Sequence, residues 1–301
     1  MSMIDDPATI SLRSIELDVP DPVASAGFLV SPWGATAAGA SGDARFVGGS
    51  GPYPYLVGLY PATARAVRSI SFVAGADRIE AIAGRAADAG LTVERTPVRD
   101  PGGGDGTTVV LPEGERFRFI SGAEGVSPGG GDDAPVKLTH VVVNAADAER
   151  SAAVCEEVLG FTVSDRTRGM VFVRCNRSHH SIAFARAGYS SLNHIAFEMR
   201  DVDAVMRGIG RMRDADAAPS WGPGRHGPGA NVFAYFVAPF GAVVEYSTAV
   251  EQVDEHYRTG APEDWTWPPN RIDQWGLSDK DVAALTAAER RFRFAPAMAD
   301  A

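Results

Sequence analysis

Three residues in the rear half of the chain, His140, His194 and Glu245, are of the types that hold a divalent metal. They stand in LTHVVV, LNHIAFE and GAVVEYS, three apolar runs that read as strands. Alternation sends Val243, Glu245 and Ser247 to one face of the last run. A carboxylate on a buried sheet face is costly unless it is paired or bound to a metal. Two imidazoles and one carboxylate on adjacent strands form the facial set of non-haem Fe(II) oxygenases, which leaves positions open for substrate and O₂. A lone strand histidine is more often structural, but three such groups at matched ends of three strands argue for one shared ion.

Other ionisable groups fall near by. His179 and His180 stand in NRSHHSIAF, a run read as the strand before that of His194, with His180 sharing a face with Ile182 and Phe184. His226 lies in a Gly/Pro loop nineteen residues before Glu245, and Tyr235 ten before it. A neutral histidine beside a metal can take or give a proton near pH 7, and a tyrosine hydroxyl can donate to an oxyanion.

The elements that must position these groups repeat. A strand from Leu12, a helix opened by Pro and closed by Gly34, two short strands near 44–47 and 55–60, a strand in AVRSISFVA, a helix ending at Gly90 and three further strands fill the front half. A Gly/Ser/Asp-rich linker, 126–134, follows. The order then restarts: residues 138–160 match 12–34 without a gap, SLNHIAFEM matches AVRSISFVA, and YFVAPFGAVVEYS matches TVVLPEGERFRFI. The expected fold class is therefore α+β, with two tandem modules (1–125 and 135–250), each a pair of βαβββ repeats forming an open mixed-sheet barrel. A Trp- and Pro-rich tail, 251–301, is expected to pack on both. In the front module the positions of His140, His194 and Glu245 are Ser14, Ser69 and Arg118. Arginine is permanently cationic and cannot be a metal ligand. The site is thus expected in the rear module alone.

Bulk properties narrow the partners. A net charge of −10 over 301 residues disfavours nucleic acid. No apolar run is long enough for a membrane span, and MSMIDDPATI lacks the basic and apolar regions of a secretory signal. Cys155 and Cys175 lack metal-type spacing, which fits reduced thiols and a cytoplasmic setting, with Cys155 on the buried face of a helix. Edge strands and a Trp-rich tail suggest a homo-oligomer.

The duplicated module, the rear-only ligand set, the motifs LTHVVV, LNHIAFE, GPGRHG…FAYF and GAVVEYS, and the tail DWTWPPNRIDQWG resemble the vicinal oxygen chelate superfamily. Within it, they resemble the two-domain type I extradiol ring-cleavage dioxygenases. The resemblance covers nearly the whole chain. It implies that His140, His194 and Glu245 bind Fe(II), or Mn(II) in some members, and that a catecholic substrate and O₂ meet there. It implies that His180, with His179 as fallback, stabilises charge on oxygen and shuttles a proton, and that His226 and Tyr235 hydrogen-bond the substrate oxygens. The product would be a ring opened beside its two hydroxyls. Two other readings stay open: a glyoxalase-type metal-dependent isomerase or lyase, and a non-catalytic small-molecule binding protein on the same scaffold. Glyoxalase sites usually need two acidic groups and ligands from two modules, and the front copy offers none of these three ligands.

Overall fold

The computed structural model describes residues 9–126 and 129–294. Residues 1–8 of the front module, two residues of the 126–134 linker and residues 295–301 of the tail lie outside these ranges.

The front module runs β1 (Ser11–Val19), α1 (Pro22–Val30), β2 (Thr36–Ser41), β3 (Ala44–Gly48), β4 (Val57–Pro61), β5 (Ala66–Val73), α2 (Ala76–Asp88), β6 (Thr92–Pro97), β7 (Asp105–Val110) and β8 (Arg116–Ser121). The rear module repeats it: β9 (Lys137–Ala145), α3 (Ala148–Val154), β10 (Thr162–Arg166), β11 (Met170–Arg174), β12 (Ile182–Arg186), β13 (Ser191–Glu198), α4 (Val202–Asp214), β14 (Trp221–Arg225), β15 (Val232–Val237) and β16 (Val243–Thr248). The tail adds α5 (Val282–Glu289) and β17 (Arg293–Phe294), which pairs in parallel with β5 of the front sheet.

The two sheets have the same strand order, β2-β3-β4-β1-β5-β8-β7-β6 and β10-β11-β12-β9-β13-β16-β15-β14. Each mixes parallel and antiparallel pairs, and neither closes into a barrel. Helices α1, α3 and α4 start where acidic side chains cap them. Asp21, Asp147 and Asp201 accept from the backbone N–H groups of Ala24, Arg150 and Ala204 at 2.9, 3.0 and 2.7 Å.

Several local expectations shift. α1 stops at Val30, and Gly34 (φ 94°) turns the chain four residues later. Three strands, not two, lie between residues 35 and 61; the small, largely exposed TAAGAS run gives β2 no hydrophobic signature. β14 also escapes a pattern reading because WGPGR is half glycine and proline. Cys155 is buried, as expected, but it opens a π-helical turn, Cys155–Leu159, that ends at Gly160. Both thiols are free; burial pushes the Cys155 thiol well above its usual range and Cys175 up to about 11.

The modules share one core. Trp33, from the front module, stacks on Tyr246 of β16 with ring centroids 3.7 Å apart and planes 7° from parallel. It also meets Phe197 and Phe236 edge-on. Trp33, Phe197 and Tyr246 are fully buried. The strand that carries Glu245 is therefore pressed from behind by the other half of the molecule.

Candidate metal centre and its cavity

Strand register brings the ligand-type residues together. His140 pairs across to Ala196, and Ala196 pairs on its other side with Glu245. Glu245 in turn pairs with Tyr235, and Tyr235 with Trp221. One row on one sheet face thus reads His140, Ala196, Glu245, Tyr235, Trp221 across five strands. Ala196 is small, so the row is open between His140 and Glu245. His194 lies one row away on β13, on the same face as Ala196.

The three ligand atoms converge. His140 Nε2 and His194 Nε2 each lie 3.1 Å from Glu245 Oε2, and 3.3 Å from one another. Ligands about 2.1 Å from one ion at right angles are about 3.0 Å apart. All three residues are buried, His194 the least at 5% exposed.

The proton positions favour an ion over an ordinary hydrogen-bonded cluster. The Glu289 carbonyl can only accept, and it takes the Ser191 hydroxyl at 2.6 Å. Ser191 Oγ then accepts from Asn144 Nδ2 at 3.0 Å, and Asn144 Oδ1 from Asn193 Nδ2 at 2.8 Å. Asn193 Oδ1 is left facing His194 Nδ1 at 2.7 Å, so His194 carries its proton on Nδ1. Burial lowers the pKa of His194, against the pull of Glu245, and favours a neutral ring. Its bare Nε2 therefore faces a carboxylate oxygen. Two lone pairs at 3.1 Å repel unless a cation lies between them. Burial alone would raise the Glu245 carboxyl; positive charge on the side of His140 and His194 outweighs it and holds the carboxyl well below its ordinary value. With His194 neutral, such charge is what a shared cation would supply. Asn231, fully buried, donates to Glu245 Oε1 at 3.2 Å and to Ser247 Oγ at 2.9 Å.

The triad opens on a cavity of about 410 Å³ lined by His180, His226, Tyr235, Phe172 and Trp221, with tail residues such as Lys280 and Leu285. His226 Nε2 is 3.0 Å from the Tyr235 hydroxyl. The His226 ring stacks on Phe233, centroids 3.9 Å apart, and Tyr235 stacks on Trp221 at 5.3 Å. Burial brings His226 down to about 3 and pushes Tyr235 well above its usual range, with the Glu245 charge adding to the latter. His226 is thus held neutral and Tyr235 keeps its proton. Across the cavity, the His180 ring lies 4.3 Å from that of His140 and 5.2 Å from Phe172.

The two adjacent histidines separate. β12 begins only at Ile182, so His179 and His180 precede the strand. Ile182 and Phe184 point into the shared core, whereas His180 lines the cavity along with Ala185. The expected shared face of His180, Ile182 and Phe184 therefore fails, because strand alternation does not extend back past Ile182. His179 lies behind His180, fully buried, and bonds to Asp165. The Gly227-Pro228-Gly229 loop also has a steric reason: a Cβ on Gly229 would come within 3.1 Å of atoms of both histidines, and its φ is +73°.

Asp165, Asn144, Asn193, Asn231 and Tyr257 were not foreseen. The signal for Asp165 is an acidic residue inside VSDR, a position that alternation cannot mark as inward because the strand bulges between Val163 and Asp165. A bulge between Leu192 and His194 similarly hides how Asn193 reaches its neighbour.

The model of the Glyoxalase/Bleomycin resistance protein/Dioxygenase superfamily matches residues 137–246. The Mn(II)-bound glyoxalase from Novosphingobium aromaticivorans superposes with a TM-score of 0.83 at 30% identity, over 92% of this chain and 93% of that one. This chain belongs to that superfamily. As a member of the vicinal oxygen chelate group it shares its whole two-sheet layout with a halotolerant catechol dioxygenase, at a TM-score of 0.83 and 20% identity, over 93% and 98% of the two chains. At that identity the likeness speaks for the fold. Metapyrocatechase 2 of Cupriavidus necator is 28% identical over 151 residues, 47% of this chain and 45% of that protein. The chain spans about half the length of the curated relatives it matches. Among the described residues of this superfamily member, no helix is long and apolar enough to cross a membrane.

Proposed function

We propose that the protein cleaves a catecholic ring with O₂, beside the two hydroxyls, at a mononuclear centre held by His140, His194 and Glu245. The observation that carries the reading is the ring of groups around the triad. His180 stands on one side, and the His226–Tyr235 pair, 3.0 Å apart, on the other, all on one cavity. A simple binding groove has no need of three such groups beside a ligand set. The likeness to metapyrocatechase 2 favours the same reading.

His140, His194 and Glu245 would hold Fe(II) or Mn(II), which would supply a Lewis-acidic seat for two adjacent substrate oxygens and an electron path between ring and O₂. The chain's own residues do the rest. Tyr235 keeps its proton and donates to a substrate oxygen, while neutral His226 orients that hydroxyl. His180, driven neutral chiefly by burial and then by the neighbouring imidazoles, is a base for a proton leaving oxygen on the opposite side and, once protonated, the donor that returns it. Phe172, Val142 and Trp221 give apolar walls that fit a planar ring and exclude water.

The test is anaerobic reconstitution with Fe(II) or Mn(II), then oxygen consumption across a panel of catechols with a yellow ring-opened product read in visible light. Expected is uptake with at least one catechol, lost in His194→Ala. The Mn(II)-bound glyoxalase at 30% identity supports a second reading, a metal-dependent isomerase or lyase. Turnover under strict anaerobiosis with Mn, Zn or Ni, and no oxygen uptake with any catechol, would establish that second reading in place of the first.

A further inference from the structure

Behind His180 runs a line of buried polar groups that the proposed reaction does not use. His179 Nδ1 lies 3.0 Å from His180 Nδ1, and His179 Nε2 lies 2.6 Å from Asp165 Oδ2. Asp165 and His179 are fully buried, and His180 is 3% exposed. The tail holds the far end. Tyr257 donates its hydroxyl to Asp165 Oδ2 at 3.1 Å, and the Gly260 backbone N–H donates to Asp165 Oδ1 at 2.7 Å. A Cβ on Gly260 would sit 2.7 Å from that same oxygen, so only glycine permits the approach. The Gly260 carbonyl accepts from Arg166 N at 2.9 Å, which pins the segment to β10.

We propose that Asp165 and His179 are a positioning pair that locks His180 in a single tautomer, with Nδ1 protonated and Nε2 bare toward the cavity. The proton count follows from the acceptor at the end of the line. An ionised carboxylate only accepts, so His179 carries its proton on Nε2. The Nδ1 of a neutral His179 is then an acceptor, and His180 must supply the proton between the two rings. That leaves Nε2, on the opposite edge of the ring, as a base on the cavity side. The device rests on the proposed role of His180, but its tautomer can be read without substrate, metal or turnover.

Asp165→Asn reverses the line. The Gly260 N–H is a fixed donor and claims the amide oxygen, so the amide NH₂ turns to His179 Nε2. His179 must then carry its proton on Nδ1 and donate to His180, whose own proton moves to Nε2. A carboxylate that sets the tautomer of a histidine, and an amide that gives the wrong one, is a known logic in hydrolytic triads.

The experiment is long-range ¹H–¹⁵N correlation on the metal-free full chain, where only six histidines contribute. The His180 signals are assigned by their loss in His180→Gln. Expected is a bare Nε2 on His180 and a protonated Nε2 on His179 in the unaltered protein, with His180 switched to the Nε2–H form in Asp165→Asn. A protonated Nε2 on His180 in the unaltered protein overturns the proposal, and this result needs no variant to fold. An unswitched His180 in a folded Asp165→Asn overturns it equally. If the protein consumes oxygen, Asp165→Asn is expected to lower kcat about 10–100-fold with KM little changed. Absence of oxygen uptake in the unaltered protein refutes the dioxygenase reading and leaves the tautomer result standing.

Discussion

The same sheet, built twice, holds two opposite solutions to one buried polar problem. In the rear module the row across the strands is His140, Ala196, Glu245, Tyr235; in the front it is Ser14, Ser71, Arg118, Thr108. Where the rear gathers acceptors that need a cation, the front supplies a cation of its own. Arg118 lies 3.1 Å from Glu16 Oε1 and 2.9 Å from Asp100 Oδ2. Glu16 further accepts from Ser14, Ser69, Ser71 and Tyr55 at 2.6–2.9 Å. A guanidinium takes the place that the proposed ion would hold in the other half. The Glu16 and Asp100 carboxylates there are met from within the chain, by serine and tyrosine hydroxyls and by Arg118. The lesson is that the matching site in the front module is occupied by internal ion pairs and hydrogen bonds rather than filled with apolar side chains.

The largest effect that could break this comparison is metal content. His140→Ala or Glu245→Ala is expected to abolish metal binding and oxygen uptake, whereas Ser69→Ala in the front module leaves one ion per chain. Elemental analysis of the reconstituted proteins checks both, and a second ion per chain would defeat the comparison. Next in size is Arg118→Met, which strands Glu16 and Asp100. Breaking a buried pair this way costs about 3–5 kcal/mol, seen by denaturant unfolding, with metal stoichiometry unchanged. Adding Glu16→Gln should return part of the loss. Smaller again, Tyr235→Phe should lower kcat about 10–100-fold, while Thr108→Val, at the matching place in the front row, leaves turnover unaltered.

The smallest concerns Glu115, which stands where the rear module has Ala242 in the aligned turn. Glu115 is fully buried, and burial raises its carboxyl from 4.5 to about 7. A folded pKa above the unfolded one means that the folded chain binds the extra proton. Stability therefore falls as pH rises from about 4.5 to about 7. Glu115→Gln should remove that slope and raise stability at pH 8 by about 1–3 kcal/mol, read from unfolding curves at several pH values. Equal slopes with and without the carboxyl would count against it.

The convergence of His140, His194 and Glu245 was legible in the sequence because the chain carries its own reference. A histidine opposite a serine, twice, and a glutamate opposite an arginine stand out without any other protein. The two-module layout followed from the same repeat, whereas the order of strands within each sheet did not. What stayed hidden depended on departures from regular alternation. His179 and His180 sit just outside β12, so period-two counting assigned His180 the wrong face. Asp165 and Asn193 lie at bulges. Glu16 reads as an ordinary polar position in LRSIELDVP, and only the fold shows Arg118 and Tyr55 closing on it. The tail's grip on Asp165 links residues 92 and 95 positions apart, which no local pattern encodes.

The stack of Trp33 on Tyr246 makes the silent half more than ballast. Cutting the chain between the halves would lay bare Tyr246, Phe197 and Phe236 as one sticky aromatic patch on the back of the strands that carry the ligands. The rear half expressed by itself should therefore clump or loosen, and the ancestral single-copy form of such a fold would have needed a twin molecule to cover that wound.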